Sequence, residues 1–525
     1  MSRRHPTLLS SLALCAALLA AVPVRAADAP VARGLIVQLK PADGGGRESA
    51  QAERERLATV AADAGLSGEA PMRVGAQGHL LHFPQPLSGA ALEAAERRVR
   101  LNAQVAHVEP DVRLKRLAEP SDPFYTDGTQ WHLRTPAAGG VAALNLPPAW
   151  DRATGAAGQV VAVVDTGALY GHPDLAGKLL PGYDLISDLD TANDGNGRDA
   201  DASDPGDWVT EAEANSARFP NCPADDSSWH GTFIAGQIAA ATNNGLGGAG
   251  VSWGAQVLPV RVSGKCGAWL SDVVDGIRWA AGLAVQGVPR NAHPARVINV
   301  SFGGSTGCTY AYQSAINDAS AAGALVVVAA GNENGPLTRP ADCAGVLAVG
   351  AVRQDGLKTY YSSYGINVGI MAPGGSGGAD TSGAHLYSTS NTGTRGPAQH
   401  VYAAKNGTSF AAPLAAGVAS LMLAVNPALT PARIASRIQS GARDFPPANR
   451  AYPTCVAGNA VNSACNCTRE SCGPGLLDAD RSLQLAVEGG DDDDGDSGGG
   501  PTGLAWGLGL WALAAVAWAA RRRQR

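Results

Sequence analysis

Nowhere in the 525 residues is there a basic stripe, and acidic side chains outnumber basic ones 46 to 40. A net charge of −6 without clustered Lys or Arg lacks the electrostatic footprint that a nucleic-acid partner needs, so none is expected. The apolar run near the N-terminus has Leu14 where a lipoprotein site wants a small residue before Cys15, which excludes lipidation. Charge is also missing from FAAPLAAGVASLMLAV, residues 410 to 425, which therefore reads as a buried helix. Pro413 is expected in its first turn, where a missing N–H costs nothing. Ser409 then stands at a helix N-terminus, beside unpaired amides and the positive end of the dipole, where capping is the ordinary role of a serine.

The ends of the chain read as targeting segments. Residues 1–27 combine Arg3 and Arg4, an apolar stretch from Leu8 to Val22 and small residues around Ala26, which together predict a Sec signal peptide. With Cys15 removed, eight of the nine cysteines remain, and an even number in an exported chain predicts four disulfides. An apolar content of 45% suffices for a large core.

Between the ends two compositions alternate. Residues 28–118 predict a small α+β unit: strands at 33–40 and 107–112, helices at 50–64 and 89–105. LKRLAEPSDPFYTDGTQWHL is Pro-rich and polar, the composition of an exposed linker. From Val160 the runs VVAVV, VLPVRV, RVINVSF, ALVVVAA and VLAVGAV alternate with helical stretches, which predicts an α/β domain on a parallel sheet buried on both faces. That domain is expected over residues 119–486, followed by an acidic, glycine-rich linker at 487–502 and an apolar tail at 503–525.

In open α/β sheets ligands sit beyond the carboxyl ends of the strands. VVAVV ends in Asp165-Thr166-Gly167, and ALVVVAA ends in Gly331-Asn332-Glu333. His230 in SSWHGTFIAGQIAAAT opens a small-residue helix much as Ser409 opens another. Acyl transfer through a serine ester needs this set. A hydroxyl requires a base to take its proton, the imidazole requires a carboxylate on its other nitrogen, and the tetrahedral oxyanion requires donors. Asp-Thr-Gly is also an aspartic-protease signature, with Asp380-Thr-Ser-Gly as a possible partner. That reading needs an all-β bilobal chain and leaves His230 and Ser409 without a role.

VVAVVDTG, HGTFIAG, AAGNE and NGTSFAAP, in this order, resemble the four motifs of the subtilisin-like serine peptidases. The resemblance covers about residues 120 to 485 and implies a three-layer α/β fold, with the preceding ferredoxin-like α+β unit as an inhibitory propeptide. It implies that Asp165 is the triad acid, His230 the general base, Ser409 the nucleophile and Asn332 the oxyanion donor. It further implies a groove in which an extended peptide substrate pairs with Ser301-Phe302-Gly303-Gly304 and Ala329-Ala330-Gly331, with Glu333 near the pocket for the residue before the scissile bond. The chain is expected to be a secreted endopeptidase, monomeric and self-processed between about Arg113 and Pro123. The contrasting expectation is a non-enzymatic surface or binding protein on the same scaffold.

The stretch DLDTANDGNGRDADASDPGDW suits hard-cation binding, and Asp199, Asp201, Asp204 and Asp207 are its expected calcium ligands. Asp174 in GHPDL matches a calcium ligand of the family. Cys222 is expected to pair with Cys266 and Cys308 with Cys343. Cys465 and Cys467 are too close to join each other, which leaves two connectivities among them, Cys455 and Cys472. The C-terminal order of glycine tract, apolar run and Arg521 to Arg525 resembles the GlyGly-type sorting tails removed by a rhomboid-like protease. A permanent membrane anchor is the alternative.

Overall fold

The computed structural model describes residues 31–41, 49–66, 70–112, 118–376, 384–456 and 463–488. The expected signal peptide, the residues 113–117 at the start of the processing region, nearly all of the acidic linker and the C-terminal tail lie outside these. The chain divides into two compact units, residues 1–116 and 117–525.

In the first unit β1 (Ala32–Leu39), α1 (Ala50–Asp63), β2 (Met72–Val74), β3 (Gly78–Leu87), α2 (Gly89–Arg100) and β4 (Val105–Val112) follow one another. The sheet is antiparallel in the order β2-β3-β1-β4, which with the βαββαβ succession is the ferredoxin-like arrangement. Val60, Leu92 and Val99 cover one sheet face over Leu35, Val37 and Leu81. The second helix ends at Arg100, short of the expected Val105. Asn102 accepts the Gln104 amide in a turn, and the strand claims Val105 and Val108 for the core.

The second unit is built on β5 (Val160–Asp165), β6 (Tyr183–Asp184), α3 (His230–Ala239), β7 (Gln256–Arg261), α4 (Leu270–Ala280), β8 (Val297–Val300), α5 (Tyr310–Ala321), β9 (Leu325–Ala329), β10 (Val346–Val352), β11 (Ile370–Pro373), β12 (Leu386–Asn391), β13 (His400–Lys405) and α6 (Thr408–Val425). Seven strands form one parallel sheet in the order β11-β10-β9-β8-β5-β7-β6. Alternation explains why its strands read as continuous apolar runs. Val161, Val163, Val257, Val297 and Val327 face α3 and α6, whereas Ala162, Val164, Leu258, Ile298 and Val328 face α4 and α5. The layers are helix, sheet, helix. The chain goes from β5 to the edge strand β6, comes back to β7 between them, then crosses to β8 on the other side of β5, so the order reverses between β5 and β8.

Two expectations are corrected. The Pro-rich segment is no exposed linker from Ala118 onward, because Tyr125, Trp131 and Leu133 enter the main core. Asp122 there is fully buried and accepts the amides of Asn243 (2.7 Å) and Asn244 (3.1 Å). Its prolines serve short helical turns such as Pro123–Thr126. Pro413, for its part, lies in the second turn of α6, which begins at Thr408. A proline there leaves the carbonyl four residues back without its helical partner. That carbonyl belongs to Ser409, and the Ser301 hydroxyl donates to it at 2.9 Å.

The four disulfides are Cys222–Cys266, Cys308–Cys343, Cys455–Cys465 and Cys467–Cys472. The first two are the expected pairs, and the others resolve the choice left open by the sequence.

Candidate active site

Asp165 is the last residue of β5, and its side chain is fully buried. Its Oδ1 accepts the Thr166 amide and faces His230 Nδ1, both at 2.8 Å. The carboxylate therefore fixes which imidazole nitrogen carries the proton and leaves the other directed elsewhere. His230 opens α3 behind Trp229, whose left-handed backbone (φ 50°) turns the chain into the helix. Trp229 is buried and donates from Nε1 to the Gly393 carbonyl at 2.8 Å. The next residue, Gly231, lies so close to the Gly167 carbonyl that a Cβ there would stand 2.2 Å from it.

Ser409 is the second residue of α6, whose N-cap Gly407 takes a positive φ of 153° that favours glycine. Its Oγ donates to the Ser301 carbonyl at 3.2 Å, and its amide has no acceptor among the described residues. Apo triads commonly hold the serine loosely until substrate closes the geometry. The Phe410 ring lies 5.2 Å from the imidazole and 4.7 Å from Phe233, so α6 and α3 meet directly beneath the two reactive groups.

Asn332 follows the left-handed Gly331 at the end of β9. Its Oδ1 accepts both the Thr408 amide and the Thr408 hydroxyl at 2.9 Å. With the carbonyl side thus held, the Asn332 NH₂ group has no acceptor among the described residues and is free to donate. The Thr408 hydroxyl also accepts the Gly331 amide at 3.2 Å, so one buried threonine sets both residues. Thr408 had no role in the sequence reading. Its signal was present in NGTS, where a β-branched hydroxyl stands beside the serine.

Ser301, Gly303, Gly304, Ala329, Ala330, Gly331, Asn332, Glu333 and Ser409 line a single pocket. Phe302 is not among its walls; its ring packs 5.7 Å from the His230 ring instead. Thr338, Arg339 and Thr408 complete the pocket and were not foreseen. Glu333 is exposed and turned back toward Ser363, whose hydroxyl donates to it at 3.4 Å.

In the acidic stretch the carboxylates are engaged with the chain around them. Asp199, Asp201 and Asp204 each accept the amide two residues on, at 2.7, 2.9 and 2.9 Å, which makes three successive Asx turns. The second oxygen of Asp204 accepts the Thr166 hydroxyl at 2.7 Å, and Asp207 holds the Ser228 amide and hydroxyl at 2.6 Å each. These two acids thus brace the turns that carry Asp165 and His230. Burial, and then the charge of Asp207, pushes the Asp204 carboxyl up to about 7. Among the described residues no three of these carboxylates converge on one point. Asp174 lies apart, fully buried, accepting Asn244 Nδ2 (2.7 Å) and the Gly248 amide (3.3 Å). Burial raises its pKa, and the charge of Asp122 adds to the rise. Two buried carboxylates tied to the 241–248 loop, with no basic partner among the described residues, are a donor set that suits a hard cation.

The comparisons with known proteins agree with this geometry. The profile of the subtilase family, Peptidase_S8, matches residues 156–465. An extracellular protease of Xanthomonas campestris is 43% identical over 413 residues, 78% of this chain and 64% of that one. An extracellular basic protease of Dichelobacter nodosus is 42% identical over 339 residues, 63% of this chain and 53% of that one. The chain thus spans less than two thirds of the length of these two relatives. Thermitase of Thermoactinomyces vulgaris is 34% identical over 306 residues, covering 58% of this chain and 85% of thermitase. A solved protease structure from Pseudoalteromonas arctica is 44% identical, with a TM-score of 0.62 over 70% of this chain and 100% of that one. With Asp165, His230, Asn332 and Ser409 on the strand ends and helix starts where that fold gathers its chemistry, this chain belongs to the subtilase family.

Proposed function

We propose that the chain is an exported serine endopeptidase in which Ser409, His230 and Asp165 act as nucleophile, general base and orienting acid. One observation carries the reading: the 2.8 Å bond from His230 Nδ1 to a fully buried Asp165, beside a serine whose own amide is unengaged among the described residues. His230 Nε2 takes the hydroxyl proton as Ser409 Oγ attacks the scissile carbonyl carbon. The oxyanion accepts from the Ser409 amide and from Asn332 Nδ2. Collapse of the intermediate breaks the C–N bond, and the departing amine takes the proton from His230. Water then repeats the cycle on the acyl-enzyme. The glycine-walled pocket at Gly303, Gly304 and Gly331 suits close backbone approach by an extended peptide.

The export reading rests on the N-terminal segment and on relatives named as extracellular proteases. The first unit is the inhibitory propeptide in this reading, released by self-cleavage between about Arg113 and Pro123. The burial of Asp122 favours the earlier part of that range. A structural calcium would be held by Asp174 with Asp122, supplying the positive charge those carboxylates lack. The tail is removed by a rhomboid-type protease or kept as an anchor.

A serine-directed fluorophosphonate, applied after removal of the first unit and read by peptide mass, tests the central claim. Labelling at Ser409 that Ser409→Ala abolishes is expected. A properly folded chain that takes no label would favour the non-enzymatic scaffold.

A further inference from the structure

Lys358 is fully buried, and no carboxylate pairs with it among the described residues. Its ammonium donates to Asn334 Oδ1 (2.8 Å), the Thr359 carbonyl (2.8 Å) and the Ser362 carbonyl (3.0 Å), and it lies 4.7 Å from the centre of the Tyr364 ring. An ammonium has three N–H donors, so this cage of neutral oxygens and one ring face satisfies it. Burying a charge in such a cage carries a desolvation cost that a packed methionine would avoid. The position invites a role beyond filling space.

The cage is built from the loop that carries Asn332 and the segment that shadows it. Asn334 stands two residues after Asn332, in a left-handed conformation at φ 51°, with its amide on the Tyr361 carbonyl at 2.8 Å. The Ser363 amide donates to Gly331 and the Tyr364 amide to Gly335, both at 2.9 Å. These bonds lash residues 331–335 to residues 358–364. The lysine draws the Asn334 side chain and two carbonyls of the second segment onto one point. Thr408 sets the head of Asn332 from the helix side, but a side chain is placed only as well as its backbone is.

We propose that Lys358 is a positioning residue for the oxyanion hole, an internal cation that fixes the backbone of the loop bearing Asn332. This rests on the reading of Asn332 as oxyanion donor. Misplacement of a reacting group by about 1 Å costs on the order of 10²-fold in rate. Lys358→Met, measured on the matured enzyme with a peptide p-nitroanilide, should therefore lower kcat by roughly 10- to 100-fold and leave KM within about twofold. In an Asn332→Ala background the same change should cost less than about threefold, because the group it positions is gone. Asn334→Gly keeps the left-handed backbone, removes the tie to Lys358, and should repeat the pattern with a smaller loss; it carries the test if Lys358→Met fails to fold. Equal fold-losses of kcat in the two backgrounds, or a loss confined to KM, would overturn the proposal. An Asn332→Ala enzyme with unaltered kcat would instead refute the donor reading beneath it.

Discussion

Adding one methyl group at Gly231 puts the base–acid contact under direct load. The new Cβ would stand 2.2 Å from the Gly167 carbonyl and 3.1–3.2 Å from Asp165 Cβ and Oδ1, whereas approaches under 3.0 Å essentially never occur. The obstacle is backbone, so no rotamer relieves it. The start of α3 and the end of β5 must part by close to 1 Å, and His230 and Asp165 sit on those two ends. Overpacking of this kind costs typically about 1–3 kcal/mol of stability. The imidazole–carboxylate bond, now 2.8 Å, would pass out of hydrogen-bond range if it absorbed the whole displacement. Gly231→Ala should thus fold with a lowered melting temperature and lose kcat on the order of 10²-fold. Stability is read by thermal unfolding in a Ser409→Ala chain, which removes autolysis, and kcat on a peptide p-nitroanilide with the serine intact. A folded Gly231→Ala enzyme within about twofold of the parent kcat would show that the Asp165–His230 geometry does not limit the rate.

Asn332→Ala should lower kcat by roughly 10²–10³ with little change in KM, the size found for such a donor in a member of this family; steady-state kinetics showing a change in KM alone would make Asn332 a substrate-positioning group. A cation at Asp174 and Asp122 would bind the folded form only, so a chelator should lower the melting temperature and hasten autolysis while initial rates persist; superimposable melting curves with calcium and with chelator would remove the metal. Asp204 sets a pH dependence: its folded pKa, about 7, lies above the ordinary value of 3.8, so the folded chain binds the extra proton between those limits. The stability this contributes is complete below about pH 4 and is lost as the pH rises through about 7. Urea unfolding of the Ser409→Ala chain should show that decline, and Asp204→Asn should flatten it; parallel curves would refute the assignment.

How much of this was legible beforehand depends on where the information resides. Strand runs buried on both faces, and polar residues at their ends, are local patterns, so the sheet, and the place of Asp165, His230, Asn332 and Ser409 at strand ends and helix starts, could be read from the chain itself. Partnership is not local. Asp199, Asp201 and Asp204 have the alternating spacing of a cation loop, and the same spacing makes Asx turns, in which one oxygen of each accepts a backbone amide. That Asp207 holds Ser228, two residues before His230, is set by the fold and not by the local sequence. Tyr125 and Trp131 sit in a segment whose prolines and polar residues suggested a linker, yet their burial is decided by elements far along the chain. Lys358 had no signal of its own, because what it does depends on a loop brought to it by the fold.

The placement of Ser409 and His230 explains the most conspicuous stretch of sequence. Among the described residues α6 is the one helix long and apolar enough to cross a membrane, yet most of it is buried inside the protein. An amphipathic helix would have lain on the surface of the layer, with one face wet. This helix runs through the core, against α3 on one side and the sheet on the other, so every face must be apolar or small. Gly417 meets Val251 where a Cβ would stand 2.6 Å away, and the Ser420 hydroxyl finds its partner in Ser252 at 3.1 Å. Gln237 of α3 donates to the Phe410 carbonyl at 3.1 Å, one residue beyond the nucleophile. Ser409 and His230 therefore stand on the first turns of two helices that share one packed interface, and a site on such elements is held more precisely than one on loops. The apolarity of residues 410 to 425 follows from fixing the Ser409 hydroxyl on a helix that is packed on every side.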